Sequence, residues 1–99
     1  MKCEGSFIFK GLGERAGGKF TNNQGREITY HSANTIKVDE LLNGKPVERF
    51  FKFSKDDTSL KEKFEKIDLY ADVTIVFDVK IYNNSVSLVP VDVIWETEE

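Results

Sequence analysis

Apolar side chains change their spacing twice along the chain, from a strand period to a helical one and back. Residues 3–12 ("CEGSFIFKGL") read as a strand bounded by Gly13, and Gly17–Thr21 resumes it after an irregular kink. Residues 26–38 ("REITYHSANTIKV") are rich in β-branched side chains and predict one long strand. Asn43-Gly44 in "LLNGKP" suits a two-residue hairpin turn, because both central residues of a type I′ turn need positive φ. Residues 46–53 ("PVERFFKF") are the returning strand. In "DDTSLKEKFEKI" the period becomes helical, with Leu60, Phe64 and Ile67 at i, i+4 and i+7. Ser59 and Glu62 fit a capping box, Asp56 and Asp57 suit the positive end of the helix dipole, and Glu62–Lys66 is an i,i+4 pair. "ADVTIVFDVKIY" then alternates, with Ala71, Val73, Ile75, Phe77, Val79 and Ile81 on the core face. Asn83-Asn84 turns the chain into the last strand, "SVSLVPVDVIW". Pro90 lacks a backbone donor, which puts that strand at an edge or bulges it.

The predicted fold class is therefore mostly β, in the order strand, strand, strand, helix, strand, strand. One helix between strands three and four of five, with hairpins on both sides, is the order of the five-stranded oligonucleotide/oligosaccharide-binding barrel, the OB-fold. The length of 99 residues fits a single domain, here 1–95, followed by a short acidic tail at 96–99 ("ETEE"). Eight Phe, three Tyr and one Trp supply a core and leave rings over. No apolar run approaches the ~20 residues of a membrane helix, and the start has no signal-peptide pattern. With Cys3 as the lone cysteine, a reducing cytoplasm is the expected location and no membrane partner is expected.

A net charge of −3 argues at first against nucleic acid, but its distribution does not. Residues 1–55 carry ten Lys or Arg against six Asp or Glu, while residues 56–99 carry four against eleven. The first half is thus +4 and the second −7, summing to −3. Binding requires local potential, not a positive mean.

With its glycine-broken first strand, its "GKFTNNQGREITY" and "NGKPVERFFKF" hairpins, its single helix and its closing "VTIVFDVKIYNNSVSLVPVDV" hairpin, the chain resembles small OB-fold single-stranded DNA-binding proteins of phages and mobile elements. The resemblance implies sequence-tolerant, non-enzymatic binding of single strands in DNA replication or recombination. It also implies a homodimer or higher homo-oligomer, alongside other replication or recombination proteins. Many bacterial members end in a disordered tail with an apolar tip; "ETEE" has neither linker nor terminal Phe.

Single-strand binders need cations for phosphates and flat rings for bases. On an OB-fold these come from strands two and three and from the loops joining strands one–two and four–five. The candidates are Lys10, Arg15, Lys19, Arg26, Lys37 and Lys52 for phosphate, and Phe20, Tyr30 and Phe50 for bases. The turn at 22–25 would be a finger beside the groove, with Gly17 and Gly18 letting the backbone bend. Tyr30 shares a face with Ile28 and Ile36, so it either stacks on a base or joins the core; His31 faces the other way. Phe51 and Phe53 share a face with Val47 and read as core, whereas Phe50 lies between Glu48 and Lys52 on the wet face. Arg49 falls on the Phe51 face and fits a barrel mouth or rim. Tyr82 and Trp95 are further rings, Trp95 better placed to pack an end of the barrel or an interface.

Enzymatic readings find little. One His and one Cys do not make a zinc site, and no cofactor is expected. "GLGERAGG" lacks the GK[ST] ending of a phosphate loop. Asp72 and Asp78 share a strand face but stand about 20 Å apart at ~3.3 Å per residue. The alternative function is an OB-like protein-interaction module, an adaptor or inhibitor from a mobile element. Nothing in the sequence separates RNA from DNA.

Overall fold

The computed structural model describes residues 1–96, apart from the side chain of Tyr82. The expected acidic tail at 96–99 therefore lies, from residue 97 on, outside the described residues. The chain forms β1 (Lys2–Arg15), β2 (Gly18–Thr21), β3 (Glu27–Tyr30), β4 (Ala33–Leu42), β5 (Lys45–Ser54), α1 (Thr58–Glu65), β6 (Asp72–Tyr82) and β7 (Ser85–Trp95). Five strands make one antiparallel sheet in the order β5-β4-β1-β6-β7, and α1 falls between its third and fourth strands along the chain. β2 and β3 pair only with each other. Among the described residues no helix is long and apolar enough to cross a membrane.

Two strand expectations need correction. The first strand does not stop at Gly13 but runs to Arg15, and β2 does not continue it in the main sheet. Nor is 26–38 one strand: it breaks at His31–Ser32, with β3 in the separate hairpin and β4 in the sheet. Local pairing wins here. Asn22 Oδ1 accepts the backbone N–H groups of Gln24 and Arg26 at 2.9 and 3.0 Å, closing a turn that joins β2 to β3. At the hairpin's base the Arg15 guanidinium donates to the His31 carbonyl at 3.0 Å. Gly17 packs against the break so tightly that a Cβ there would lie 2.9 Å from the Ser32 nitrogen.

β1 carries a bulge. Its register against β4 slips between Phe9 and Gly11, and Gly11 has φ +154°, open only to glycine. The slip turns the alternation over, so Phe7 and Phe9 before it and Leu12 after it all face inward. Asn43-Gly44 (φ 53° and 77°) and Asn83-Asn84 (φ 47° and 64°) make the two expected hairpin turns. Pro90 sits on an edge strand next to a second register slip, as its missing donor requires.

The sheet curls around one core. Phe51 of β5 meets Phe77 of β6 at 4.7 Å between ring centroids, although β4 and β1 lie between their strands in the sheet. Phe7 packs edge-on against both, at 5.6 and 5.9 Å. α1 closes one end: Leu60, Phe64 and Ile67 are buried, and Phe64 stacks with Phe9 and Phe53. Each fully buried apolar side chain contributes roughly 1.5–3 kcal/mol, so this cluster carries the fold. The helix cap differs from the expected one. Asp57, not Ser59, is the N-cap, and its carboxylate accepts the Leu60 N–H at 3.2 Å. The i,i+4 ion pair is Lys61–Glu65, not Glu62–Lys66. Trp95 packs against the core as an end residue, and Arg49 pairs with Glu40 at the rim.

Candidate nucleic-acid interface

Alternation on β5 separates its three phenylalanines. Phe53 is 3% exposed and Phe51 half-buried, both facing the core, whereas Phe50 faces outward and is 66% exposed. The cross-strand register extends that outward face into rows. Arg15, Ala33 and Ser54 form the first, Gly13, Thr35 and Lys52 the second, Gly11, Lys37 and Phe50 the third, and Ile8, Asp39 and Glu48 the fourth. Six residues separate the first and last rows on β4, or about 20 Å. β1 contributes only glycines, Gly11 and Gly13, directly opposite Lys37 and Thr35. The result is a shelf with one bare ring.

Cations line the shelf, most of them already engaged. Lys10 follows the inward Phe9 onto the outward side, where its ammonium lies 3.1 Å from Glu48 and 3.5 Å from Asp39. Lys37 reaches the same Glu48 at 3.3 Å and lies 5.8 Å from the Phe50 ring centroid. The hydrogen bond from Lys10 holds the Glu48 carboxyl below the usual carboxylate range, and the same contact raises Lys10. Lys52 has no carboxylate within ion-pair distance among the described residues.

The β2–β3 arm stands at the first-row end. Cross-strand pairing puts Gly18, Phe20, Ile28 and Tyr30 on one face. Phe20 is 51% exposed and Tyr30 39%, their ring centroids 6.2 Å apart. Tyr30 is therefore an arm residue, not a core partner of Ile36. Its ring lies across Gly18, where a Cβ would fall 2.7 Å from the Tyr30 hydroxyl. The Arg15 guanidinium carbon stands 5.5 Å from the Tyr30 ring centroid. On the opposite face Lys19 pairs with Glu27 at 3.2 Å. Arg26, at the arm's turn, is exposed and has no ion pair among the described residues.

No family model matches this chain, and no curated protein or solved structure matches it either. The geometry thus stands by itself. It brings Lys10, Lys37, Phe50 and Lys52 together on one sheet face with Arg15 at its arm end, puts Phe20 and Tyr30 on one face of the adjoining arm and Arg26 at its turn, and leaves Lys19 on the arm's other face. One feature escaped the sequence: a groove of about 990 Å³ between β5 and β7, which no ladder joins. Phe50 and Lys52 line one side of it, and Lys80, Ile81, Val86 and Leu88 the other. The signal for it was the core-face alternation of 71–82 running on past the core, so that Ile81 is 69% exposed.

Proposed function

We propose that this protein is an OB-type module that binds single-stranded DNA without chemical catalysis and with little regard to sequence. Its element order and its sheet order β5-β4-β1-β6-β7 match an OB barrel opened between its third and fifth strands. The single observation that carries the reading is Phe50, bare on the outward face beside Lys37 and Lys52 while its neighbours Phe51 and Phe53 fill the core. An exposed ring flanked by cations is a poor core residue and a good platform for an unpaired base.

In this mechanism a base stacks on Phe50, and others on Tyr30 and Phe20 of the arm. Each stack supplies about 1–3 kcal/mol and works with any base, because every base has a π-face. Lys52, Lys37, Arg15 and Arg26 meet phosphates. Four such contacts give a log–log salt slope of roughly −3 for a single strand. A duplex hides its base faces and is excluded. The role suited to this chemistry is the protection or organisation of single strands during replication or recombination.

The test is a fluorescence-anisotropy titration of a labelled ~30-nucleotide dT strand at low and moderate salt, beside a duplex of equal length and an rU strand. Salt-sensitive binding to dT but not to the duplex is the expected result. No binding at tens of micromolar protein in low salt would overturn the proposal and point the aromatic surface toward a protein partner. The rU strand reports whether RNA serves as well.

A further inference from the structure

We propose that Glu48 is a resident stand-in for a nucleic-acid phosphate, seated between Lys10 and Lys37, and that an incoming strand must displace it. This rests on the function proposed above and adds where one phosphate sits and what holds that seat beforehand.

The geometry carries the inference. Two ammonium groups from different strands converge on one carboxylate, Lys10 from β1 at 3.1 Å and Lys37 from β4 at 3.3 Å. Without an anion between them the two lysines would repel each other, so their convergence defines a seat for negative charge. Alternation after the inward Phe9 puts Lys10 on the outward side, beside the bulge at Phe9/Gly11, and Asp39 steadies it from the side at 3.5 Å. Glu48 and Phe50 are two residues apart on the same face of β5, about 6.6 Å along the strand. Lys37 touches both, with its ammonium 5.8 Å from the Phe50 ring. A nucleotide whose base lies on Phe50 would bring its phosphate into the neighbourhood Glu48 now occupies.

Displacement is feasible. The Glu48 side chain is 40% exposed, with its partners Lys37 at 43% and Lys10 at 25%, so the carboxylate can swing into water. Exposed ion pairs of this kind contribute little to stability, so breaking them costs little. With Lys10, Lys37, Asp39 and Glu48 all charged, the cluster is neutral as it stands. It turns net positive only when Glu48 leaves, so weakly competing anions gain little from it, whereas a strand also gripped by the aromatic platform can open it.

The experiment compares Glu48→Gln with wild type on labelled ~30-nucleotide dT across a salt series. Glu62→Gln, on the solvent side of α1, controls for net charge. Glu48→Gln is expected to bind roughly 3–10-fold more tightly at low salt and to steepen the log–log salt slope by about one. Glu62→Gln should stay within about twofold of wild type. In a Lys10→Ala/Lys37→Ala background the gain from Glu48→Gln should vanish. If wild type binds and Glu48→Gln is no tighter than Glu62→Gln, or its gain survives without the two lysines, the seat is refuted and the general function stands. If none of the proteins binds dT, the function and the seat fall together.

Discussion

Phe50 and Phe53 sit three residues apart on one strand, and replacing each with Ala should have opposite consequences. Phe53 is 3% exposed and stacks with Phe64 at 5.7 Å. Its removal opens a cavity between β5 and α1, and losses of about 3–5 kcal/mol are usual for a buried Phe. A domain of 99 residues has only about 5–15 kcal/mol in total. At ~4–8 °C per kcal/mol, Phe53→Ala should lower the melting temperature by more than about 12 °C. Phe50 is 66% exposed, so about a third of its side chain is withdrawn from water. Its truncation should cost less than ~1 kcal/mol of stability, or a few degrees. The effect on binding reverses the ranking. Loss of one base stack removes about 1–3 kcal/mol, roughly 5–150-fold in dT affinity, and Phe50→Trp should keep most of it. Thermal melts followed by circular dichroism and anisotropy titrations on the same samples read both quantities. A folded Phe50→Ala that binds dT within twofold of wild type would refute the stacking role. A Phe50→Ala that melts as early as Phe53→Ala would refute the assignment of strand faces.

Two further outcomes test the packing of α1. Asp57→Ala removes the carboxylate that caps the Leu60 N–H and should cost about 1 kcal/mol, whereas Ser59→Ala should cost no more than a few tenths; equal melting shifts would place the cap elsewhere. Asp92 on β7 accepts from the Lys63 ammonium at 2.6 Å and from the Val93 N–H, and these contacts, the lysine first, hold its carboxyl below the usual range. A lowered folded value means stabilisation that is present above the ordinary carboxylate pKa of ~4 and lost as pH falls through the folded value. Asp92→Asn should therefore melt earlier than wild type at neutral pH, with the gap closing as pH falls through the folded value, and a gap that widens in acid would contradict the pair.

Much of the fold was legible because period and phase agree with burial. Phe51 and Phe53 against Phe50, the core face of β6 as far as Phe77, and the Leu60–Phe64–Ile67 stripe each needed only counting. Pro90 and the Asn-rich turns announced themselves by backbone chemistry alone. The break at His31–Ser32 did not, because Ile28, Tyr30, Ile36 and Val38 keep one phase across it; what cuts the strand is the close approach of Gly17 and the hold of Arg15, both set by tertiary contact. The helix cap was ambiguous for a simpler reason: Asp57 and Ser59 are both good cap residues, and the hydrogen bond from the Leu60 N–H goes to Asp57. The bulge was written in the three-residue step from Phe9 to Leu12, where a regular strand would take two or four. The convergence of Lys10 and Lys37 on Glu48 had no local signal, since 38 residues separate Lys10 from Glu48 in the chain.

Topology then converts the chain's charge asymmetry into a spatial one. The basic half supplies β1 to β5, and the sheet order keeps β5, β4 and β1 side by side; the acidic half supplies α1, β6 and β7. The surplus is not uniform within the basic half, because five of its six acids are paired off. Glu14 meets Lys55 and Lys61, Glu27 meets Lys19, Asp39 meets Lys10, Glu40 meets Arg49, and Glu48 meets Lys10 and Lys37. Arg15, Arg26 and Lys52 have no carboxylate partner among the described residues, and all three belong to the arm or to the two rows beside it. Within the four rows and the arm, the unpaired cations thus gather at the arm end while the Asp39–Glu48 row is balanced; Lys45, also without an ion pair among the described residues, lies beyond that row at the β4–β5 turn. Under the proposed function, a single strand steered by the unpaired cations should meet the arm and Lys52 first, engage Phe50 next, and reach the guarded lysines last. On this arrangement neutralising Lys52 should slow association, whereas changes at Glu48 should act mainly on how long the strand stays.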